Sequence, residues 1–228
     1  MNRLCDLLLE FGFIRTNLDL SRPLVVHAVP GAGKTTLLRK FLAICQSAEI
    51  ITGGEEDTKN LIGRRIRKRV NFSNNLNFRI IDEYITFGKL VDCDALFSDP
   101  IQNNSEGLQA HYFKETSYRV PRSVCNWLKG FGFRIESSVE GDILFESFYG
   151  PDPIGKVIVF EESVINLLRS HNCVFSLPCE VRGLEFEIVT IFTEKDCSEL
   201  IGFELFVSAT RVKRKLIIRS LDAHSITP

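Results

Sequence analysis

No Cys-x-x-Cys pair occurs in this chain, although it holds seven cysteines, at positions 5, 45, 93, 125, 173, 179 and 197. An odd, scattered set of this kind argues against a disulfide framework and fits free thiols in a reducing compartment. Histidine is scarce: the four residues at 27, 111, 171 and 224 show no metal-ligand spacing. His171, Cys173 and Cys179 come nearest to one another, but they match no zinc pattern and read as core residues. Net charge is almost absent, because 28 Lys and Arg face 29 Asp and Glu. No global field therefore draws the chain to nucleic acid or to a membrane surface, and any polyanion must be held by a local patch. Long apolar runs are missing too, and none approaches the ~20 residues of a membrane span. The first fourteen residues carry Arg3, Asp6 and Glu10 among their leucines, unlike the uninterrupted apolar core of a signal peptide. Leu4, Leu7, Leu8 and Phe11 instead mark one face of a short helix over 1–13, expected to pack on the first domain, the other reading being a peripheral membrane anchor. Low-complexity linkers and fixed-period repeats are also lacking. These absences predict a cytosolic protein without a transmembrane segment.

What is present is an ordinary globular composition, 44% hydrophobic and 25% charged over 228 residues. That length suits one large domain or two of roughly 100 residues each. Strand and helix signals alternate throughout. Strands are predicted at 24–28, 49–52, 77–81 and 94–97, with a helix at 34–45 and a basic helix at 58–70. A second round follows, with a helix from Pro121 to Lys129 closed by Gly130-Phe131-Gly132. Strands are then predicted at 143–148, 157–160, 187–192 and 215–219, and helices at 161–169 and 203–210. The βαβα rhythm implies α/β architecture with parallel sheets and helices on both faces. The join between the halves falls within 115–140, giving domains of 1–118 and 119–228.

One stretch carries chemistry directly. Val25 to Ala28 reads as a buried strand, Val29 to Gly33 as a tight turn, and Lys34 onward as the start of an apolar-periodic helix. Such a turn aims successive backbone N–H groups and the positive end of a helix dipole at one anion. Ala28, Val29, Pro30, Gly31, Ala32, Gly33, Lys34, Thr35 and Thr36 therefore form a candidate ATP-binding loop. Lys34 is placed to reach the β- and γ-phosphates, and the Thr35 hydroxyl to hold Mg²⁺. The pattern G-x-x-x-x-G-K-[ST] has one departure, Ala28 in place of the first glycine.

A phosphate loop alone does not name a reaction, since kinases, GTPases and motor ATPases share it. Phe78-Arg79-Ile80-Ile81-Asp82-Glu83 adds an apolar strand ending in two acids. Asp82 at such an end can hold Mg²⁺, and Glu83 can orient and deprotonate the attacking water. The other reading of two adjacent acids is a solvated turn. Leu96-Phe97-Ser98-Asp99-Pro100-Ile101-Gln102 again runs a strand into a polar turn, where Gln102 offers a neutral amide to sense the γ-phosphate. Asp-Pro by itself is an ordinary turn former.

In order, these segments resemble the motifs of superfamily 1 helicases of positive-strand RNA viruses. The series continues in Thr116-Ser117-Tyr118-Arg119-Val120-Pro121, in Val181-Arg182-Gly183-Leu184-Glu185-Phe186-Glu187 and in Val207-Ser208-Ala209-Thr210-Arg211-Val212-Lys213. The resemblance spans about Leu24 to Ile218, and so short a chain is similar to the first triple gene block movement proteins of potexvirus- and carlavirus-like plant viruses. It implies two small RecA-like domains with ATP and Mg²⁺ in the cleft between them. By the same resemblance Lys34 and Thr35 hold phosphate and metal, and Asp82 holds the metal. Glu83 is the base, Gln102 the sensor, and Arg119 and Arg211 the arginine fingers. Ser98, where the family has glycine, and Lys213, where a second arginine is common, are further departures. Lys213 cannot form a bidentate fork. The implied function is viral: an RNA-binding ATPase and RNA helicase that moves viral RNA between cells through plasmodesmata and suppresses RNA silencing. Implied partners are single-stranded viral RNA, other viral movement proteins, coat protein, host silencing factors and further copies of itself, in the host cytoplasm.

Candidate RNA contacts are local. Arg64, Arg65, Arg67, Lys68 and Arg69 place five cations in six residues, enough to neutralise phosphates; the other reading is a solvated helix face balanced by Glu55, Glu56 and Asp57. Thr52, in Thr52-Gly53-Gly54, stands where helicases place a strand-contacting loop, and Arg182 is a third candidate. Two rival classes stay open: a non-catalytic RNA-binding scaffold and silencing suppressor that retains a relic helicase fold, and a small P-loop kinase.

Overall fold

The structure is a computed structural model, and it describes residues 1–58, 63–68, 71–72, 78–87, 92–103, 107–195 and 202–221. The chain divides into two compact units, Met1–Glu115 and Thr116–Pro228.

In the first unit α1 (Asn2–Glu10) buries Leu4, Leu7 and Leu8, the i, i+3, i+4 stripe expected of a helix with one covered face. Glu10 pairs with Lys40 at 2.5 Å, and Lys114 Nζ donates to the Phe11 carbonyl just beyond the helix. β1 (Ile14–Arg15) follows, then β2 (Leu24–Ala28), α2 (Lys34–Ile44), β3 (Ala48–Thr52), β4 (Phe78–Asp82), β5 (Ala95–Ser98) and β6 (Tyr112–Lys114). The sheet order is β1-β6-β2-β5-β4-β3. Every pairing is parallel except β1 with β6. Strands β2, β3 and β5 are β-branched or apolar and buried along nearly their whole length, as strands covered on both faces are. The parallel register brings the C-terminal ends of β2, β4 and β5 to one edge of the sheet, and the turns that leave this edge carry the chemistry.

The predicted basic helix over 58–70 does not form among its described residues. Residues 63–68 instead run extended beside β3: Thr52 N donates to Arg67 O, and Arg67 N to Ile50 O. Ile66, only 2% exposed, is the buried anchor of this segment. Gly63 at φ +71 is unsuited to a helix interior, and the open edge of β3 offers backbone partners to an extended segment. Residues 59–62 and 69–70, Arg69 among them, lie outside the described residues.

In the second unit come β7 (Thr116–Ser117), α3 (Arg122–Lys129), β8 (Glu136–Ser137), β9 (Asp142–Ser147), β10 (Lys156–Ile158), α4 (Glu162–Ser170), β11 (Phe186–Thr193), α5 (Phe203–Ala209) and β12 (Val212–Ser220). The four-stranded sheet runs β10-β11-β12-β9 and is parallel throughout. Pro121 precedes α3, and its carbonyl accepts the Cys125 N–H. α5 is buried over Leu205 to Ala209. Gly155 sits at φ +74, where a Cβ would come 2.4 Å from the Ile188 carbonyl oxygen, so the turn into β10 admits only glycine. Among the described residues no helix is long and apolar enough to cross a membrane.

Candidate functional site

The loop from Val29 to Gly33 connects β2 to α2. Gly31 and Gly33 take left-handed backbone at φ +74 and +90, a conformation only glycine adopts without strain. Gly33 is also the N-cap of α2, so no capping side chain stands over that helix terminus. Lys34, in the first turn, donates from Nζ to the Ala28 carbonyl at 2.9 Å. Its Nζ also lies 3.7 Å from Glu83 Oε1. Thr35 and Thr36 are exposed at the head of the helix.

The two acids leave the end of β4 in different environments. Asp82 is buried; desolvation, reinforced by Glu83, pushes its carboxyl up to about 7 against the opposing pull of Lys34. Its Oδ2 accepts from Thr52 at 3.4 Å, whereas the buried Oδ1 has no hydrogen-bond partner. Glu83 sits at φ +53, a strained position for a residue with a side chain. Its Oε2 accepts from Ser98 Oγ at 3.3 Å. Gln102 Nε2 donates to Asp99 Oδ2 at 2.8 Å, and Asp99 Oδ1 caps the Ile101 N–H at 3.0 Å. Asp99 is 1% exposed; burial pushes it up to about 6, with Lys34 pulling the other way. Lys34, Asp82, Glu83, Asp99 and Gln102 thus converge within the first unit.

These residues fit Mg²⁺. Among the described residues no three acids, histidines or cysteines form a ready-made metal cluster. A bare Mg²⁺ cage is not needed, since this ion keeps several waters and takes one or two protein oxygens plus substrate phosphates. A buried carboxylate oxygen without a protein donor, near a phosphate-loop lysine, suits that role.

The second unit holds the two arginines of interest. Arg119 pairs with Glu185, Nη1 to Oε1 at 2.6 Å, and donates from Nη2 to the Thr210 carbonyl at 3.1 Å. Arg211 is buried at 2% exposure, donating from Nε to Val207 O at 3.0 Å and from Nη2 to Thr210 Oγ1 at 3.1 Å. Both guanidiniums therefore converge on Thr210. Glu185 also pairs with Lys213 at 3.4 Å; burial raises its carboxyl, but Arg119 and Lys213 together hold it below the usual range.

Three of the candidate RNA-contacting arginines each direct a guanidinium N–H to a nearby carbonyl. Arg64 donates to the Cys45 carbonyl, Arg65 to the Asp57 carbonyl, and Arg67 to the Gly63 carbonyl. The Lys68 backbone N–H bonds the Glu56 carboxylate. Thr52 is buried, and its hydroxyl faces Asp82 and the Gly54 N–H rather than an outer surface. Arg182, half-buried, follows the 3-10 turn at Pro178–Val181.

Comparison with known families matches residues 24–220 to the viral superfamily 1 RNA helicase core domain. The chain belongs to that family. This superfamily 1 chain is 40% identical over 223 residues to the movement and silencing protein TGBp1 of Apple stem pitting virus (isolate PA66), covering 96% of the chain and 100% of the relative. It is 37% identical to TGBp1 of Potato virus X, covering 92% and 95%. Among solved structures, the PRRSV helicase superposes with a TM-score of 0.62 at 14% identity over 88% of this chain, which shows a shared fold. The chain spans about half of that helicase, 53% of its length.

In this superfamily 1 helicase core, two residues that sequence reasoning passed over stand out. Asp99, set aside as a turn former, is the buried partner that fixes the Gln102 amide. Glu185, quoted only as part of a motif, carries both Arg119 and Lys213. Ser98, where glycine was expected, supplies a hydroxyl to Glu83. Lys213 engages Glu185 as a point charge, which needs no fork.

Proposed function

We propose that this chain is an RNA-stimulated ATPase that serves viral movement between host cells and suppression of host RNA silencing, acting in the cytoplasm and at plasmodesmata. The observation that carries the reading is the buried Asp82 Oδ1, unpartnered, in a site where Lys34 stands 3.7 Å from Glu83.

In this proposal the Gly31–Gly33 backbone and Lys34 bind the phosphates of ATP, while Thr35 and Asp82 hold Mg²⁺. The metal, when bound, neutralises charge on the phosphoryl oxygens. Glu83 accepts the proton of the attacking water, oriented by the Ser98 hydroxyl on its other oxygen. Gln102, fixed by Asp99, positions that water. Arg119 and Arg211 are the proposed arginine fingers, a role typically worth about 10³–10⁵ in rate. Single-stranded viral RNA is the proposed polymer partner. Other viral movement proteins, coat protein, host silencing factors and further copies of the chain are proposed as protein partners. The relatives' shared name, movement and silencing protein, supports the biological half of the reading.

The test is ATP hydrolysis with and without single-stranded RNA across a salt series, comparing wild type with Lys34→Ala. Stimulation that fades as salt rises, and its loss in Lys34→Ala, is the expected result. No hydrolysis by wild type, together with silencing suppression retained by Lys34→Ala, identifies a non-catalytic scaffold instead.

A further inference from the structure

Thr52, Gly53 and Gly54 are placed against the two acids at the end of β4. Thr52 is the residue opposite Asp82 in the parallel register of β3 and β4. Its Oγ1 accepts the Gly54 N–H at 3.0 Å, which directs its own proton to Asp82 Oδ2 at 3.4 Å. The Gly53 N–H donates to the Asp82 carbonyl at 3.0 Å. A Cβ on Gly53 would fall 1.9 Å from Thr86 Oγ1 and 2.9 Å from the Glu83 carbonyl oxygen. Thr86 Oγ1 in turn donates to that Glu83 carbonyl at 2.7 Å. Only glycine fits at position 53 beside the Glu83 carbonyl, which Thr86 holds. A Cβ on Gly54 would meet Glu83 Cγ at 3.5 Å, an ordinary contact, so the close approach that requires glycine is at Gly53.

We propose that Thr52 is a positioning residue for metal binding: its hydroxyl ties down Asp82 Oδ2 and leaves the unpartnered Oδ1 to hold the ion. The inference rests on the reading of Asp82 as the metal-holding carboxylate. The physical reason is rotational. A carboxylate with no donor on either oxygen samples several χ2 angles, whereas one hydrogen bond leaves a single oxygen facing the site. Partners of this outer kind are typically worth about 10–100-fold in metal affinity or activity.

The experiment compares wild type, Thr52→Val and Thr52→Ser. Val keeps the shape and removes the hydroxyl; Ser keeps the hydroxyl. Mn²⁺, as a spin-active stand-in for Mg²⁺, is titrated by electron paramagnetic resonance with a non-hydrolysable ATP analogue present, and kcat and KM for ATP are measured separately. Thr52→Val is expected to weaken Mn²⁺ binding and lower kcat by about tenfold each, with KM for ATP unchanged within about twofold, and Thr52→Ser to restore both. Thr52→Ala carries the same readings should Val fail to fold. Mn²⁺ affinity and kcat equal to wild type in a folded Thr52→Val overturn the positioning role alone. A wild type that binds neither Mn²⁺ nor the analogue overturns the ATPase reading and this inference together.

Discussion

Asp82 sets stability against chemistry. Its carboxyl is buried beside a second acid, and the Lys34 ammonium, the Glu83 backbone amide and the Thr52 hydroxyl offset only part of the cost of charging it. Removing the charge while keeping the shape relieves desolvation and repulsion. Asp82→Asn is therefore expected to raise the melting temperature by a few degrees while lowering ATP hydrolysis by at least about 100-fold; thermal melts and phosphate release check both halves. His27, beside the phosphate loop, makes the opposite case. Its Nε2 lies 2.9 Å from the Tyr84 phenol oxygen, which also accepts the Leu108 N–H. Burial, helped by the Lys34 ammonium, pushes the imidazole down to about 4 from 6.5. The unfolded chain consequently takes up a proton first as pH falls, and stability present above pH 6.5 is lost progressively down to about pH 4. Melting temperature against pH should show this fall, and His27→Gln should flatten it.

The segment 63–68 shows how an element is decided by its neighbour. Five cations in six residues suggested a helix with a polar face. In the fold the Asp57 carboxylate accepts the Ile66 N–H at 3.1 Å and the Arg39 guanidinium at 2.6 Å, pinning the segment to the edge of β3. Burial raises the Asp57 carboxyl, but Arg39 and the Ile66 amide outweigh it and hold it below the usual range. Asp57→Ala should release this clip, and hydrogen exchange should speed up at the Ile66 and Arg67 amides while the β2 amides stay protected. β6 is the converse. Tyr112–Lys114 is an inner strand between β1 and β2, but three residues ending in lysine carry no alternation to read. Lys114 is buried there because its ammonium reaches the Phe11 carbonyl and lies over the Phe13 ring. The longer buried strands β2, β5 and β11 were legible within a residue or two, since their apolar composition extends over most of their length.

On the scale of the whole molecule, the binding of nucleotide to the first unit should register as stability. A ligand that binds only the folded form stabilises by about 2.7 kcal/mol when present at 100 times its Kd. A non-hydrolysable ATP analogue with Mg²⁺ should therefore raise the melting temperature of wild type by several degrees and leave Lys34→Ala unchanged, as read by circular dichroism. A shift of equal size in Lys34→Ala places the nucleotide elsewhere.

The glycine-lysine turn, the acid pair and the α/β rhythm follow from the sequence alone, because each is a contiguous run whose residue types dictate local backbone. Left-handed glycines before a helix and an apolar strand ending in Asp-Glu need no distant partner to be recognised. The roles of Thr52, Asp99 and Glu185 were decided only in three dimensions. Thr52 acts on Asp82 across a strand register and Glu185 on an arginine 66 residues away, while Asp99 meets Gln102 within its own turn and owes its role to burial beside Lys34. Burial and register choose which of many similar polar residues meet, and neither is written in any single window of the chain.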